Sequence, residues 1–130
     1  MSVLRIASGG PWEDAFGYSR AVIAGPNAYV SGCTAVVDGV VHHEGDPYRQ
    51  AITAFGVALD ALKQAGFAAE HVVRTRMYVT HTRDMAPVGR AHKELFAAVR
   101  PAATMVVVSK LIDQQMLVEV EVDAYRDGAR

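Results

Sequence analysis

Apolar and polar residues alternate with a period of two over residues 117–125. Leu117, Glu119, Glu121 and Asp123 face one way, and Val118, Val120, Val122 and Ala124 face the other. This is the pattern of a strand with one greasy face and one acidic face. The same period recurs over residues 71–80, where Arg74, Arg76 and Tyr78 share a face opposite Val73, Thr75, Met77 and Val79. Residues 3–6, 19–24, 28–32 and 104–110 read as further strands. Gly25-Pro26-Asn27 has the composition of a hairpin turn, and Asp38-Gly39 places a second small hairpin or bulged loop at 36–41.

The period changes to helical in two places. Asp46 is a good N-cap, Pro47 fits a first helical turn, and Ala51, Phe55, Ala58, Leu59 and Leu62 follow at helical spacing up to a stop at Gly66. Asp84 opens a second helix to about Val99, with Met85, Val88, His92, Leu95 and Phe96 near one stripe and Pro101 blocking continuation. Residues 7–17 read as a loop rich in Gly, Ser, Pro and acids that carries Trp12 and Phe16. The element order is strands, helix, strand, helix, two strands. It predicts an α+β domain spanning 1–130, a mixed sheet with two helices on one face. The other face carries Arg74 and Arg76 on one strand and Glu119 and Glu121 on another, which can pair if the strands are neighbours. A helix-free face of this kind is expected to be covered by oligomerisation.

Composition narrows the partners. A length of 130 residues fits one domain, and a hydrophobic content of 51% is that of a folded chain. A net charge of −1 offers no electrostatic attraction to nucleic acid or to an acidic membrane. No apolar run approaches the roughly 20 residues that span a bilayer. The single cysteine, Cys33, permits no internal disulfide and suits a reducing compartment, and residues 1–10 lack the pattern of a secretion signal. A cytoplasmic domain is expected.

Four segments carry a resemblance in register over nearly the whole chain: Gly17-Tyr18-Ser19-Arg20-Ala21, Tyr29-Val30-Ser31-Gly32, Pro101-Ala102, and the Val118-Glu119-Val120 strand. Together they resemble the RidA/YjgF family, also called L-PSP endoribonuclease. The resemblance implies a chorismate-mutase-like fold, a homotrimer with clefts between subunits, no cofactor, and hydrolysis of enamines and imines. It implies that Tyr18, Ser31 and Gly32 line the cleft and that Glu119 holds the attacking water. Backbone groups near Ala103 and Thr104 would bind the polar end of the substrate. It also exposes a departure. Where the deaminase branch carries an arginine for the substrate carboxylate, this chain has Ala103, and Gly89 stands where that branch tends to have asparagine. The resemblance is therefore to a branch without that arginine.

A guanidinium grips a carboxylate bidentately and a methyl group cannot. Either the substrate differs or another cation, Arg20 or Arg100, takes over. Each of these also reads as an ordinary surface or ion-paired arginine, and Glu119 as a partner of Arg74 or Arg76. Ser31 lacks the His and acid spacing of a nucleophile. Cys33 reads as a buried small residue and His92 as a packing histidine. His42-His43-Glu44 has no third ligand at a recognisable spacing for a metal. Trp12 and Phe16 either cap the cleft or anchor their loop. Two alternatives stand beside the hydrolase: a non-catalytic small-molecule-binding trimer, and a ribonuclease, for which a basic stripe and an acid–base pair are both missing.

Overall fold

Alternation and helical spacing translate into a two-layer structure, seen in a computed structural model that describes residues 2–128. Among these the chain runs β1 (Val3–Ile6), α1 (Pro11–Phe16), β2 (Ala21–Ala24), β3 (Asn27–Cys33), β4 (Val36–Val37), β5 (Val40–Val41), α2 (Pro47–Gln64), β6 (Val72–Val79), α3 (Met85–Phe96), β7 (Ala102–Val107) and β8 (Val118–Tyr125). Six strands form one mixed sheet in the order β1-β2-β3-β8-β6-β7, and β4 and β5 form a separate hairpin. β7 runs parallel to β6, with α3 in the crossover; the other pairs are antiparallel.

The alternating C-terminal stretch becomes an inner strand of the sheet. Val118, Val120, Val122 and Ala124 of β8 are buried, and Glu119, Glu121 and Asp123 lie on the opposite, half-exposed face. Helices α2 and α3 cover the buried face. Ala51, Ala54, Ala58 and Ala61 let α2 approach the sheet closely, with Phe55 and Leu62 filling the gaps at 0% exposure. Asp46 caps α2 as its sequence predicts, accepting a hydrogen bond from the Arg49 amide at 3.0 Å. His92 packs at 5.7 Å from the Phe55 ring and 5.0 Å from Phe96, with Nε2 2.7 Å from Thr75 Oγ1. Burial lowers its pKa, as expected of a neutral packing histidine.

Gln50 sits in this core at 0% exposure. Its side chain donates to the carbonyls of Gln115 at 2.9 Å and His43 at 3.3 Å, and accepts from the Leu117 amide at 2.8 Å. It clamps the segment before β8 onto α2.

Four local expectations are corrected. Residues 7–17 contain a helix: Pro11 opens α1, and the Glu13 side chain turns back to the amides of Ser8 at 3.1 Å and Gly10 at 3.4 Å. Those bonds satisfy donors that would otherwise fray so short a helix. Val73 is exposed at 48% and Val72 buried, because a bulge between Val72 and Arg74 resets the alternation of β6. Asp84 makes no capping bond; it already has helical backbone angles at the end of the 3-10 turn Thr82–Asp84, and its carboxylate lies 3.6 Å from His81. α3 ends at Phe96, short of Val99, where Arg100 at φ 55° returns its amide to the Phe96 carbonyl at 2.8 Å.

Cross-strand charges pair on the open face. Arg76 stands opposite Glu121 and lies 3.9 Å from its carboxylate and 3.4 Å from that of Asp123. All three side chains are partly solvated, so these pairs contribute little to stability.

Candidate functional site

The site begins with an irregularity in β3. Val30 pairs with Val122 and Cys33 with Val120, so Ser31 and Gly32 together stand opposite the single residue Glu121. This bulge turns Cys33 into the core and takes the Ser31 and Gly32 carbonyls out of the β8 ladder. Arg20, just before β2, uses the released carbonyls. Its guanidinium donates to Gly32 O at 2.6 Å and to Ser31 O at 3.4 Å, and lies 3.8 Å from Glu13. Ser31 Oγ donates to the Ser19 carbonyl at 2.6 Å.

Glu13 is itself buried. Burial alone would raise its pKa, but hydrogen bonds from Ser8 and Gly10 and the charge of Arg20 outweigh it and hold the carboxyl below its usual range. Burial pushes the Cys33 thiol up to about 11, with Arg20 only partly opposing it, so the cysteine is a packed thiol.

Glu119 lies against Gly32. A methyl group at Gly32 would come within 2.9 Å of Glu119 Cδ and closer still to its Oε2. A side chain at 32 would therefore make the end of the Glu119 side chain swing aside. In the sheet register Glu119 faces Tyr78, whose hydroxyl donates to Glu121 at 2.7 Å; the sequence expectation of an arginine partner for Glu119 is corrected. Desolvation raises the pKa of Glu119, the Glu121 charge adds to the rise, and Arg20 opposes both. A half-buried carboxylate with a raised pKa beside a cavity has the properties of a proton acceptor or a water-ordering group.

The cavity has a volume of about 840 Å³, the size of a small-molecule site. Tyr18, Arg20, Ser31, Gly32 and Glu119 all line it, so five of the sequence candidates converge. Ala103, Thr104 and Arg100 do not. β7 is the sheet edge, separated from β8 by β6, and Ala103, Thr104 and Arg100 are exposed there, away from the cavity of their own chain. Trp12 and Phe16 line the cavity from α1. Ile112 and Met116 also line it and carried no sequence signal, because their segment is irregular. Among the described residues, no three His, Cys, Asp or Glu side chains come together as a metal site, and no helix is long and apolar enough to cross a membrane.

Gly32→Ala is expected to displace the Glu119 carboxylate and weaken ligand binding by about tenfold or more, since even one lost contact of 1.4 kcal/mol has that effect. The same variant should stay folded, because Gly32 is partly exposed and outside the regular ladder. Titration calorimetry beside circular dichroism checks it; unchanged affinity would show that the close packing of 32 and 119 is irrelevant to binding.

The chain is thus a two-layer α+β domain with a cavity at a bulged strand beside a half-buried glutamate. The chain belongs to the YjgF/YER057c/UK114 family: the family model described as Endoribonuclease L-PSP matches residues 12–126. It is similar to the uncharacterized protein SCO2049 of Streptomyces coelicolor, at 50% identity over 96% of this chain and 93% of that protein. The crystal structure of Rv2704 from Mycobacterium tuberculosis, a member of the same family, superposes with a TM-score of 0.87 at 41% identity, covering 96% of this chain and 100% of that one. A protein of unknown function from Pseudomonas aeruginosa, PA3499, superposes with a TM-score of 0.82 at 30% identity, covering 97% and 94%.

Proposed function

We propose that this protein is a homotrimer that hydrolyses enamines or imines in clefts at its subunit boundaries, on a substrate other than a 2-imino acid. The observation that carries the reading is the Glu119 carboxylate: half-buried, raised in pKa, packed on Gly32 and lining the cavity. In the proposed reaction Glu119 orders a water and takes one of its protons as the oxygen adds to the C=N carbon. The C–N bond then breaks, nitrogen leaves as ammonia with the protons returned to it, and a carbonyl remains. Tyr18 and Ser31 shape the cleft around the reacting carbon, and the backbone near Ala103 and Thr104 of a neighbouring copy binds the polar end.

The trimer is supported by what one chain leaves uncovered. Val106 and Val107 on the edge strand β7 are 42% and 46% exposed, and Tyr29 on the open face is 49% exposed. Two or more strand edges and apolar side chains of this kind are normally covered. Sedimentation equilibrium at neutral pH is expected to give three times the 14.0 kDa chain mass; a single monomeric species would remove the intersubunit clefts.

The hydrolase reading is tested by ammonia release from imines generated in place from a broad set of amines and amino acids. Acceleration is expected for at least one carboxylate-free substrate. No acceleration with any of them ends the reading. The alternative, a trimer that binds a small molecule without turnover, is favoured by one observation: Arg20, whose charge acts on Glu119, is already spent on Gly32, Ser31 and Glu13. It predicts saturable binding with no ammonia released.

A further inference from the structure

What the cavity selects follows from its lining, granted the small-molecule reading of the same site. We propose that the ligand is a cation with an apolar body and no carboxylate, such as the protonated imine of a hydrophobic amine skeleton.

Charge is the first observation. Glu119, Glu121 and Asp38 all line the cavity, and the guanidinium that lines it with them is Arg20. That guanidinium is balanced by buried Glu13 at 3.8 Å, its side chain is only 12% exposed, and its donors point at the Gly32 and Ser31 carbonyls. Three acidic residues thus line the cavity against one cation that is already paired, although the Glu121 carboxylate also accepts from the Tyr78 hydroxyl at 2.7 Å. Arg76 partly offsets Glu121 from the far side, at 3.9 Å. An anionic ligand would enter a negative site without a free donor fork, and a cation would meet Glu119 directly.

Shape and polarity are the second. The lining also includes Trp12, Phe16, Val36, Ile112 and Met116. Phe16 and Ile112 hold 67% and 57% of their surface in water at the cavity mouth. Exposed apolar groups gathered around a concave polar base mark a ligand groove, and a small polar imino acid would leave them wet. The aromatic residues Trp12 and Phe16 in the lining add an attraction for a cation, while the Tyr18 ring is already taken by the Arg20 guanidinium 5.8 Å from its centroid. Helix α1 is thereby a specificity element. It holds Trp12 and Phe16 over the cavity, and its own Glu13 is what neutralises Arg20.

The test is calorimetric titration of the assembled protein at neutral pH with phenethylamine, 3-phenylpropionate of matched length, and ethylamine. Phenethylamine is expected to bind about tenfold or more tightly than either of the others, a difference of about 1.4 kcal/mol or more. Ile112→Ser should weaken phenethylamine severalfold; because Ile112 is an exposed side chain, the variant stays folded where Trp12→Ala could disturb α1. Glu119→Gln should weaken both amines alike. Equal or tighter binding of the carboxylate overturns the proposal, most directly if Arg100→Ala then abolishes it. Absence of phenethylamine binding at millimolar concentration, or indifference to Ile112→Ser, overturns it as well. Binding needs no turnover, so amine selectivity without ammonia release would sink the hydrolase reading alone, and ammonia release from a carboxylate-free imine by a protein that shows no preference for phenethylamine would sink this one alone.

Discussion

Glu119→Gln is expected to release ammonia from an accepted imine at least about 100-fold more slowly than wild type, the usual worth of a positioned acid–base group. The same variant is expected to melt at a higher temperature at pH 7. Both effects have one cause. Desolvation first, and the Glu121 charge second, raise the folded-state pKa of Glu119 above its ordinary value of 4.5. The folded chain therefore holds this proton more tightly than the unfolded chain, and folding stability falls as pH rises through that window. Below the ordinary value both states are protonated and the penalty is absent. Above the folded-state value it is fully present. Glutamine cannot ionise, so its thermal advantage should be seen at pH 7 and vanish near about pH 4. Scanning calorimetry at the two pH values, beside an ammonia assay, decides the matter. Equal turnover by the variant would take Glu119 out of the chemistry, and a lower melting temperature at pH 7 would mean its carboxylate is a structural partner after all.

Gln50→Leu carries the largest expected cost to stability, about 2–4 kcal/mol, from backbone groups left without partners. Leucine fills a similar volume in the core. It cannot replace the bonds to Gln115 at 2.9 Å, His43 at 3.3 Å and Leu117 at 2.8 Å. Urea denaturation should show a lower midpoint at an unchanged slope. A midpoint within error of wild type would show that water replaces the side chain without penalty.

Gln50 also illustrates what was legible in the chain. It lies one position before Ala51 and four before Ala54, on the buried stripe of α2, so helical spacing alone marks it as a polar residue in an apolar row. Two of its three partners were not readable, because they come from a segment 65 and 67 residues away. The strands were legible wherever alternation was unbroken, as in β8. They shifted where a bulge intervened, as at Val73 and at Ser31–Gly32, since an extra residue puts the alternation on its two sides out of phase: Val73 turns outward while Thr75, Met77 and Val79 keep their buried face. Helix α1 escaped notice because its cap is a glycine and its stabilising contacts run backwards from Glu13 to the chain before it. Of the candidate site, residues on β3, β8 and the approach to β2 came together because those strands are neighbours. Ala103, Thr104 and Arg100 stayed apart because the parallel pairing of β6 and β7 carries them to the sheet edge. No local pattern specifies that edge position; only the topology does.

That edge has a practical consequence. Residues 102–107 read Ala-Ala-Thr-Met-Val-Val, without a charge or a proline, and all but Met105 are exposed in a single chain. A short, uncharged strand rich in β-formers and lacking gatekeepers templates intermolecular cross-β pairing. Substitutions that leave β7 bare should therefore yield precipitate or fibrils in place of a tractable dissociated chain. Engineering this protein for solubility starts with a lysine on the outer edge of β7.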